Sequence, residues 1–356
     1  MNPEPKSKQL FPILNASIVF AAIILLLAEP ERAMDGAWQG LSLCCQIIIP
    51  SLFPFLVLSR LLLEGPFAQP LGILFSPYIK CIGITHKKAA SALLCGLLGG
   101  FAAGASAVSQ LYDAGELSDQ EAERLLICCI GSSPAFVVGS VGAAMLGSVP
   151  AGWFLFLSQT GASLLCGLCF KRITLNSNPR ILQNNSYKKG ISHAVEKAVS
   201  AISILCGYVI LFSFLSALIA PSYLPTLPKF FLTLPLEVTN ACRAGASVPQ
   251  FRLWLCSIAL STMGLSVFFQ VSALTKSQFS LRPLLISRIP HTIFALLLLK
   301  TFLAIFPISL PASFSAPSLI ARRMPYDVIC ILFLLCALAV SHSRQIVRLP
   351  SYKKRV

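Results

Sequence analysis

The feature that most constrains this chain is a succession of apolar runs, each about 20 residues long and almost free of charge. That length is what an α-helix needs to cross the hydrocarbon core of a bilayer. The 356 residues are 56% hydrophobic and only 12% charged, with a mean hydropathy of +0.78. Because soluble proteins carry about 25% charged residues, one globular core cannot hide this composition. The sequence therefore predicts an integral membrane protein that crosses the bilayer several times.

The net charge of +15 comes from 28 Lys and Arg against 13 Asp and Glu. In a soluble protein such an excess suggests nucleic acid, but here the basic residues are grouped between and beyond the apolar runs. Membrane topology and contact with anionic lipid explain these groups better, so we expect the lipid bilayer as a partner and no nucleic acid. The groups are Lys6 and Lys8, Lys87 and Lys88, Lys188 and Lys189, and Lys353, Lys354 and Arg355.

Signatures of metal binding and catalysis are absent from the sequence. It contains neither HExxH nor the phosphate-binding GxxxxGK[ST] pattern. The pair Cys166 and Cys169 has CxxC spacing but lacks a second pair or a neighbouring His, so we interpret most of the 13 Cys as small packing residues. We expect no metal, no cofactor and no enzymatic activity.

Apolar runs predict nine helices, consistent with an all-α polytopic fold of about 8–10 transmembrane helices. The first, after Lys6 and Lys8, is interpreted as an uncleaved signal anchor. Pro and Gly interrupt several runs, which predicts broken or kinked helices. The predicted helices cover about 11–29, 40–63, 90–112, 122–147, 149–170, 192–219, 251–274, 283–307 and 326–342.

Two further apolar segments, 66–83 and 221–247, are too rich in Pro to cross as one helix, and we expect re-entrant hairpins or interfacial helices there. Nine crossings from an inside N-terminus would place the basic linker 171–190 outside, against the positive-inside tendency. One segment in the first half must therefore be re-entrant, or 66–83 must cross after all.

The pattern GxSxxxQ occurs at 104–110 and again at 264–270, and a short polar loop ending in Arg124 or Arg288 follows each copy. We interpret this as two repeats with broken helices, an arrangement typical of secondary transporters. We interpret both Arg as residues at the membrane boundary. The predicted organisation is a signal-anchor helix at 1–39, a first repeat at 40–170, a basic linker at 171–191, a second repeat at 192–307, and a C-terminal helix with a basic tail at 308–356.

Each copy of the pattern offers a hydroxyl and an amide one helical turn apart, Ser106 with Gln110 and Ser266 with Gln270. These groups suit a planar polar ligand or a cation. The alternative is that they form hydrogen bonds between packed helices, a common use of Ser and Gln in membranes.

Glu237 is a carboxylate in a Pro-broken apolar segment, with Thr239, Asn240 and Arg243 nearby. An ionisable residue at membrane depth is a candidate functional residue, and Glu237 suits a coupling Na⁺ or a proton. Arg243 suits a substrate carboxylate or phosphate. The alternative is an ion pair between Glu237 and Arg243 in an exterior loop.

Gly131-Ser132-Ser133-Pro134 would free backbone groups in the middle of a span, as unwound transporter helices do, so Ser132 and Ser133 are further candidates for binding a substrate or an ion. The alternative is a kinked helix that faces lipid.

Five stretches in order resemble the YlbJ-type sporulation integral membrane proteins, which carry the nucleoside-recognition "Gate" domain. They are PSLFPFLVLSRLL, GLLGGFAAGASAVSQLYDAGELSDQEAERLL, SSPAFVVGSVGAAMLG, LEVTNA and MGLSVFFQV, and they fall within about residues 40–300. Three departures from the family pattern occur: Ala102 replaces Pro and Ser106 replaces Lys in a GYPxGAK-like string, CCIGSSP replaces an Asn-rich turn, and LEVTNA replaces LEVTNG.

The resemblance implies two Gate-like repeats related to concentrative nucleoside transporters. It implies a secondary transporter of a small anionic or nucleoside-like metabolite, specifically dipicolinic acid delivered to the forespore during sporulation. The expected location is the bacterial cytoplasmic membrane, in particular the outer forespore membrane, and the protein is a candidate homo-oligomer. The alternative is a membrane scaffold or sensor that transports nothing and is needed for spore formation.

Overall fold

A computed structural model describes residue 20 and residues 23–64, 73–172, 190–221 and 223–311. Within these ranges the secondary structure is entirely helical, which confirms the predicted all-α class. Five helices are long and apolar enough to cross a bilayer, as expected for a polytopic membrane protein. The predicted helix 326–342 lies outside the described residues, as do most of 11–29 and of the basic linker.

The helices are numbered in chain order. Short π-helical or 3-10 segments at Cys44–Ile48, Ile73–Phe75, Ala135–Met145 and Phe170–Arg172 join or extend them. The α-helices are α1 (Pro30–Leu43), α2 (Ile49–Glu64), α3 (Ser76–Cys81), α4 (Ala89–Asp113), α5 (Asp119–Cys129), α6 (Val149–Cys169), α7 (Ile191–Ile219), α8 (Thr226–Thr233), α9 (Val238–Ala246), α10 (Arg252–Thr262), α11 (Gly264–Leu274) and α12 (Arg282–Ile305).

Although α4 has the length of a span, it folds back on itself at Gly100, where the backbone is non-helical with φ +76° and ψ −169°. A straight helix of 25 residues would be about 37 Å long. Lys88 and Glu116 flank its two ends, yet their Nζ and Oε1 atoms are 2.6 Å apart. Gly96 and Gly104, on either side of the turn, both pack against Cys129. The predicted span 90–112 is therefore wrong; this run is hairpin 1, with Gly99 and Gly100 at its tip.

Helices α8 and α9 form a second hairpin, which is one of the two alternatives predicted for 221–247, the other being interfacial helices. Gly245 of α9 lies against the ring of Phe230 in α8, so the two arms are antiparallel. The turn between them runs from Leu234 to Glu237. We call this hairpin 2, and its tip is Leu236 and Glu237. The other Pro-rich segment, 66–83, is described from residue 73, where α3 and a 3-10 turn are both too short to cross a bilayer.

Two other helical elements are each interrupted midway by a non-helical break. The first breaks between α5 and the π-helix, where Ile130 and the following residues leave the helical conformation. The second breaks between α10 and α11, where Met263 and Gly264 have φ of +66° and +71°. Only Gly adopts that conformation without strain, so Met263 is held there by its surroundings.

Each hairpin tip packs on one break. A Cβ on Gly100 would lie 2.8 Å from the backbone N of Ser133, and a Cβ on Gly264 would lie 3.0 Å from the carbonyl of Leu236. The chain thus shows the order hairpin, broken helix and long helix twice. The two GxSxxxQ copies do not occupy equivalent positions in this order, because Gly104 lies inside hairpin 1 and Gly264 begins the second half of a broken helix.

Several loop ends lie together on one face of the protein. Both ends of hairpin 1 meet there through Lys88 and Glu116. The end of α11 joins them, because Lys276 Nζ lies 2.7 Å from Asp113 Oδ2. We call this the basic face, defined by Lys88, Arg124, Arg172, Lys197 and Lys276.

The position of the basic face explains why a simple count of nine crossings placed the basic linker on the outer side. Because hairpin 1 returns to the side from which it enters, the ends of the basic linker, Arg172 and Gly190, emerge on the same side as Lys88. The positive-inside tendency then assigns this face to the cytoplasm.

Candidate functional site

One cavity lies where both hairpin tips and the elements of both breaks meet, and its volume is about 60 Å³. Ligand pockets are typically about 300–1,000 Å³, so the cavity must widen to admit a substrate. Its walls are mostly apolar, and a few polar groups face inward, which is the usual composition of a small-molecule site. Its lining residues include Gly99, Gly100, Phe101 and Ala102 of hairpin 1, Ser132, Ser133 and Phe136 at the first break, Glu237, Val238 and Thr239 of hairpin 2, and Val267 and Gln270 of α11.

Glu237 stands at the tip of hairpin 2 and is only 2% exposed. Its Oε2 accepts a hydrogen bond from the backbone N–H of Asn240 at 2.8 Å, so the carboxylate caps the first turn of α9. Thr239 is also buried and lines the cavity beside it. A carboxylate removed from water needs a cation, a proton or several hydrogen-bond donors. The N–H of Asn240 at the start of α9 supplies one of these donors. A bound cation or a proton would supply the rest of the stabilisation.

The ion pair between Glu237 and Arg243, considered above as the alternative, does not form. Arg243 Nη1 instead donates to Gln39 Oε1 of α1 at 3.1 Å. Glu237 is buried at a hairpin tip, not in an exterior loop. Of the four candidates in this segment, Glu237 and Thr239 therefore line the cavity, Asn240 acts through its backbone, and Arg243 points elsewhere.

Gln270 lines the cavity from α11 and is 1% exposed. Its Nε2 donates to Ser266 Oγ at 2.8 Å, as the i, i+4 spacing predicts. Its Oε1 has no hydrogen-bond partner among the described residues. A buried acceptor without a partner costs about 1–3 kcal/mol. A ligand donor at this position would recover that cost.

The unpaired oxygen of Gln270 leads to a prediction that separates binding from folding. Gln270→Leu removes a buried acceptor that lacks a partner but also the hydrogen bond to the buried Ser266 Oγ, so the two effects offset and thermal stability is expected to stay within a few °C of wild type. Ligand binding is expected to weaken by up to about tenfold, because a hydrogen bond contributes about 0.5–1.5 kcal/mol and about 1.4 kcal/mol corresponds to a factor of ten in affinity. Differential scanning fluorimetry and a binding titration on the same sample check both parts. A large loss of stability would show that the amide is structural.

Ser132 and Ser133 lie in the first break, beside the tip of hairpin 1. Ser133 is buried, and its Oγ accepts from the backbone N–H of Phe136 at 3.3 Å, which caps the π-helix. The alternative of a kinked helix facing lipid does not hold at this position, because the break faces the cavity.

Helix N-termini converge on the cavity. The π-helix begins at Ala135, shortly after Ser133, α9 begins at Val238, directly after Glu237, and the second arm of hairpin 1 follows Gly100. Each N-terminus carries a partial positive charge, which favours anions. The cavity therefore combines these helix ends with one carboxyl side chain, Glu237, which already accepts from the N–H of Asn240 in α9.

The structure separates Ser106 and Gln110 from this cavity. Both lie on the second arm of hairpin 1, beyond the tip, and face a different cleft at the basic face. Their i, i+4 relation holds, but the fold-back at Gly100 places them toward the basic face, away from Gln270.

Arg288, which is predicted from the sequence to lie at the membrane boundary, is buried inside the protein. It is 7% exposed, and its Nη1 donates to the carbonyl of Ile130 at 3.4 Å and lies 3.5 Å from Met263 Sδ. It therefore links the C-terminal ends of α5 and α10, where a cation is favourable. The side chain reaches the centre from the first turns of α12, which periodicity alone does not reveal. Arg288 is a positioning residue for both breaks.

The described residues contain no group of three or more His, Cys, Asp or Glu placed to hold a metal ion.

Two hairpins, two interrupted spans and an internal cavity define the chain as a polytopic, all-helical integral membrane protein. No family model matches the chain, and no solved structure matches it.

The chain is similar to the sporulation integral membrane protein YlbJ of Bacillus subtilis (strain 168), with 24% identity over 328 residues. The match covers 80% of this chain and 80% of the relative. It confirms the resemblance to the YlbJ-type proteins that the five sequence stretches indicate.

Proposed function

We propose that the chain is a secondary transporter of a small organic anion that works during spore formation, without chemical change to its substrate. The observation that carries the proposal is the convergence of two hairpin tips and two interrupted helices on one cavity. In secondary transporters, such discontinuous helices form the substrate site near the bilayer midplane. The name of the relative supplies the setting of sporulation.

The backbone of the cavity supports an anionic substrate. Three helix N-termini lie at its wall, and in transporters such half-helix ends bind substrate carboxylates. The aromatic rings of Phe101 and Phe136 line the same space. A flat, doubly charged ring such as dipicolinate would place carboxylates at the N-termini and its ring between apolar walls. A nucleoside would use Gln270 and the aromatic rings but not the N-termini.

Glu237 supports coupling of the anion to a cation. An anion and an ionised carboxylate in one small cavity repel each other, at a cost of several kcal/mol in a medium of low dielectric constant. A proton or Na⁺ on Glu237 removes that repulsion, so the cation and the anion would bind together. The two hairpins would then open the site to one face at a time, each moving against the break on which it packs.

The test is uptake by purified protein in liposomes, with radiolabelled dipicolinate and, in a parallel arm, radiolabelled uridine. An imposed pH gradient and an imposed Na⁺ gradient are applied separately. We expect dipicolinate uptake above protein-free liposomes, driven by one of the two gradients. Uptake of uridine alone would change the substrate class to nucleosides. Uptake of neither, with correctly inserted protein, would refute the transporter and favour the scaffold.

A further inference from the structure

A second and more polar space opens at the basic face, a cleft with a volume of about 640 Å³. It lies between α2, the second arm of hairpin 1, α7 and the loop after α11. The side chains that define it here are Arg60, Gln110, Asp113, Lys197 and Lys276. This anion cleft, as we name it, contains the residues Ser106 and Gln110 that the central cavity does not use.

The charge of the anion cleft is predominantly positive. Among the described residues that line it, Arg60, Lys197 and Lys276 are cationic and Asp113 is the one carboxylate. Both oxygens of Asp113 are already bonded, one to Lys276 Nζ at 2.7 Å and the other to the Gln278 amide. Lys197 is exposed and has no carboxylate within 4 Å among the described residues, so its charge is open to a ligand.

The same four helices, α2, α4, α7 and α11, line the cleft and the central cavity. On α7, Lys197 and Ala201 line the cleft, and Leu205 and Val209 line the cavity, each one helical turn further along. The second arm of hairpin 1 likewise runs from the cleft, which Gln110 lines, to the cavity, which Ala102 lines. On α7 the step from the cleft to the cavity runs from Ala201 to Leu205, a small and an aliphatic residue, so a modest separation of these helices would join the two spaces.

We propose that the anion cleft is the cytoplasmic mouth of the route to the central cavity, and that Lys197 raises the local concentration of small organic anions there. This inference rests on the proposed function, because a route to the cavity matters only if a substrate is transported. What it states about the molecule is that the cleft is accessible from the cytoplasm and that its positive charge attracts anions. A cleft of one sign with walls of low dielectric constant attracts the opposite ion and speeds its entry.

The test uses thiol chemistry and needs no substrate. Gln110→Cys is placed in membrane vesicles of the full chain, and its reaction with two small thiosulfonate reagents of similar size, one anionic and one cationic, is timed. The readout is the mass of the peptide that contains residue 110, with the modified residue assigned by fragmentation and with the wild-type chain as a blank, because the buried Cys95 lies in the same run. Ser106→Cys is a second reporter in case the first variant folds poorly.

We expect the anionic reagent to react faster than the cationic one, and only where the cytoplasmic side is accessible, as in inside-out vesicles. Adding Lys197→Glu is expected to lower the ratio of anionic to cationic rates about tenfold, and high salt should reduce this effect. Lys229→Glu on hairpin 2, remote from the cleft, is the matched control and should leave the ratio unchanged.

Absence of labelling at both reporters would overturn the route, since the cleft would then be closed. A ratio that Lys197→Glu does not change would overturn the role of charge and leave the lysine as a topology signal. Expected labelling together with failed dipicolinate uptake would refute the proposed substrate while supporting the cleft, so the two failures are distinguishable.

Discussion

Replacing Glu237 with glutamine is expected to reduce transport at least about 100-fold while the protein still reaches the membrane and keeps its thermal stability. Glutamine retains a carbonyl oxygen that can accept from the Asn240 N–H, so the cap on α9 survives. It cannot hold a proton or balance a cation. A 100-fold loss corresponds to about 2.7 kcal/mol, less than the interaction of a cation with a carboxylate at low dielectric constant. Initial uptake rates in liposomes measure the effect.

The matched control is Glu31→Gln, an exposed carboxylate on α1, which should transport as wild type does. Glu237→Ala removes both the charge and the cap, and it should be less stable than Glu237→Gln by about 1 kcal/mol. If Glu237→Gln transports normally, the carboxylate is only a helix cap, and coupling to a cation must use another group.

Gly100→Ala should destabilise the protein more than any other Gly→Ala change at the hairpins. The residue combines φ +76° with ψ −169°, a region that is essentially restricted to Gly, and other residues there cost about 1–3 kcal/mol. The new Cβ would also lie 2.8 Å from the backbone N of Ser133, which must move. The melting temperature in detergent should fall by several °C, and substrate binding should be lost as the tip of hairpin 1 shifts.

Gly207→Ala is the control for this change. A Cβ at Gly207, inside α7, meets nothing within 4 Å, and its φ is not in the left-handed region. Since Ala is favoured over Gly in a helix by about 1 kcal/mol, this variant should be as stable as wild type or slightly more so. Equal melting temperatures for Gly100→Ala and Gly207→Ala would contradict the hairpin geometry.

Local chemistry made part of the site predictable. Glu237 is conspicuous because a carboxylate is rare in an apolar segment, and Ser132 and Ser133 precede a Pro that interrupts a span. The pair Ser266 and Gln270 follows from helical spacing. These residues line the cavity or bond to a residue that does. Their partners across the cavity were not predictable, because contacts between elements distant in sequence depend on packing.

Hairpin 1 shows the limit of reasoning from hydropathy. Residues 89–113 have the length and composition of a span, and two adjacent Gly permit a straight helix as well as a reversal. Packing of Gly96 and Gly104 on Cys129 selects the reversal. The same reversal separates Ser106 and Gln110 from the central cavity and places them in the anion cleft.

By itself, the sequence determined that this is an all-helical membrane protein with interrupted spans, because composition, run length and Pro or Gly breaks act locally and are independent of the final packing. Only the tertiary structure decided which runs cross, which fold back, and which polar groups meet. The reason is physical: backbone groups freed at a break inside a membrane protein must be satisfied by another element. Here the carbonyl of Ile130 is met by Arg288, and that of Leu236 by the N–H of Ser266.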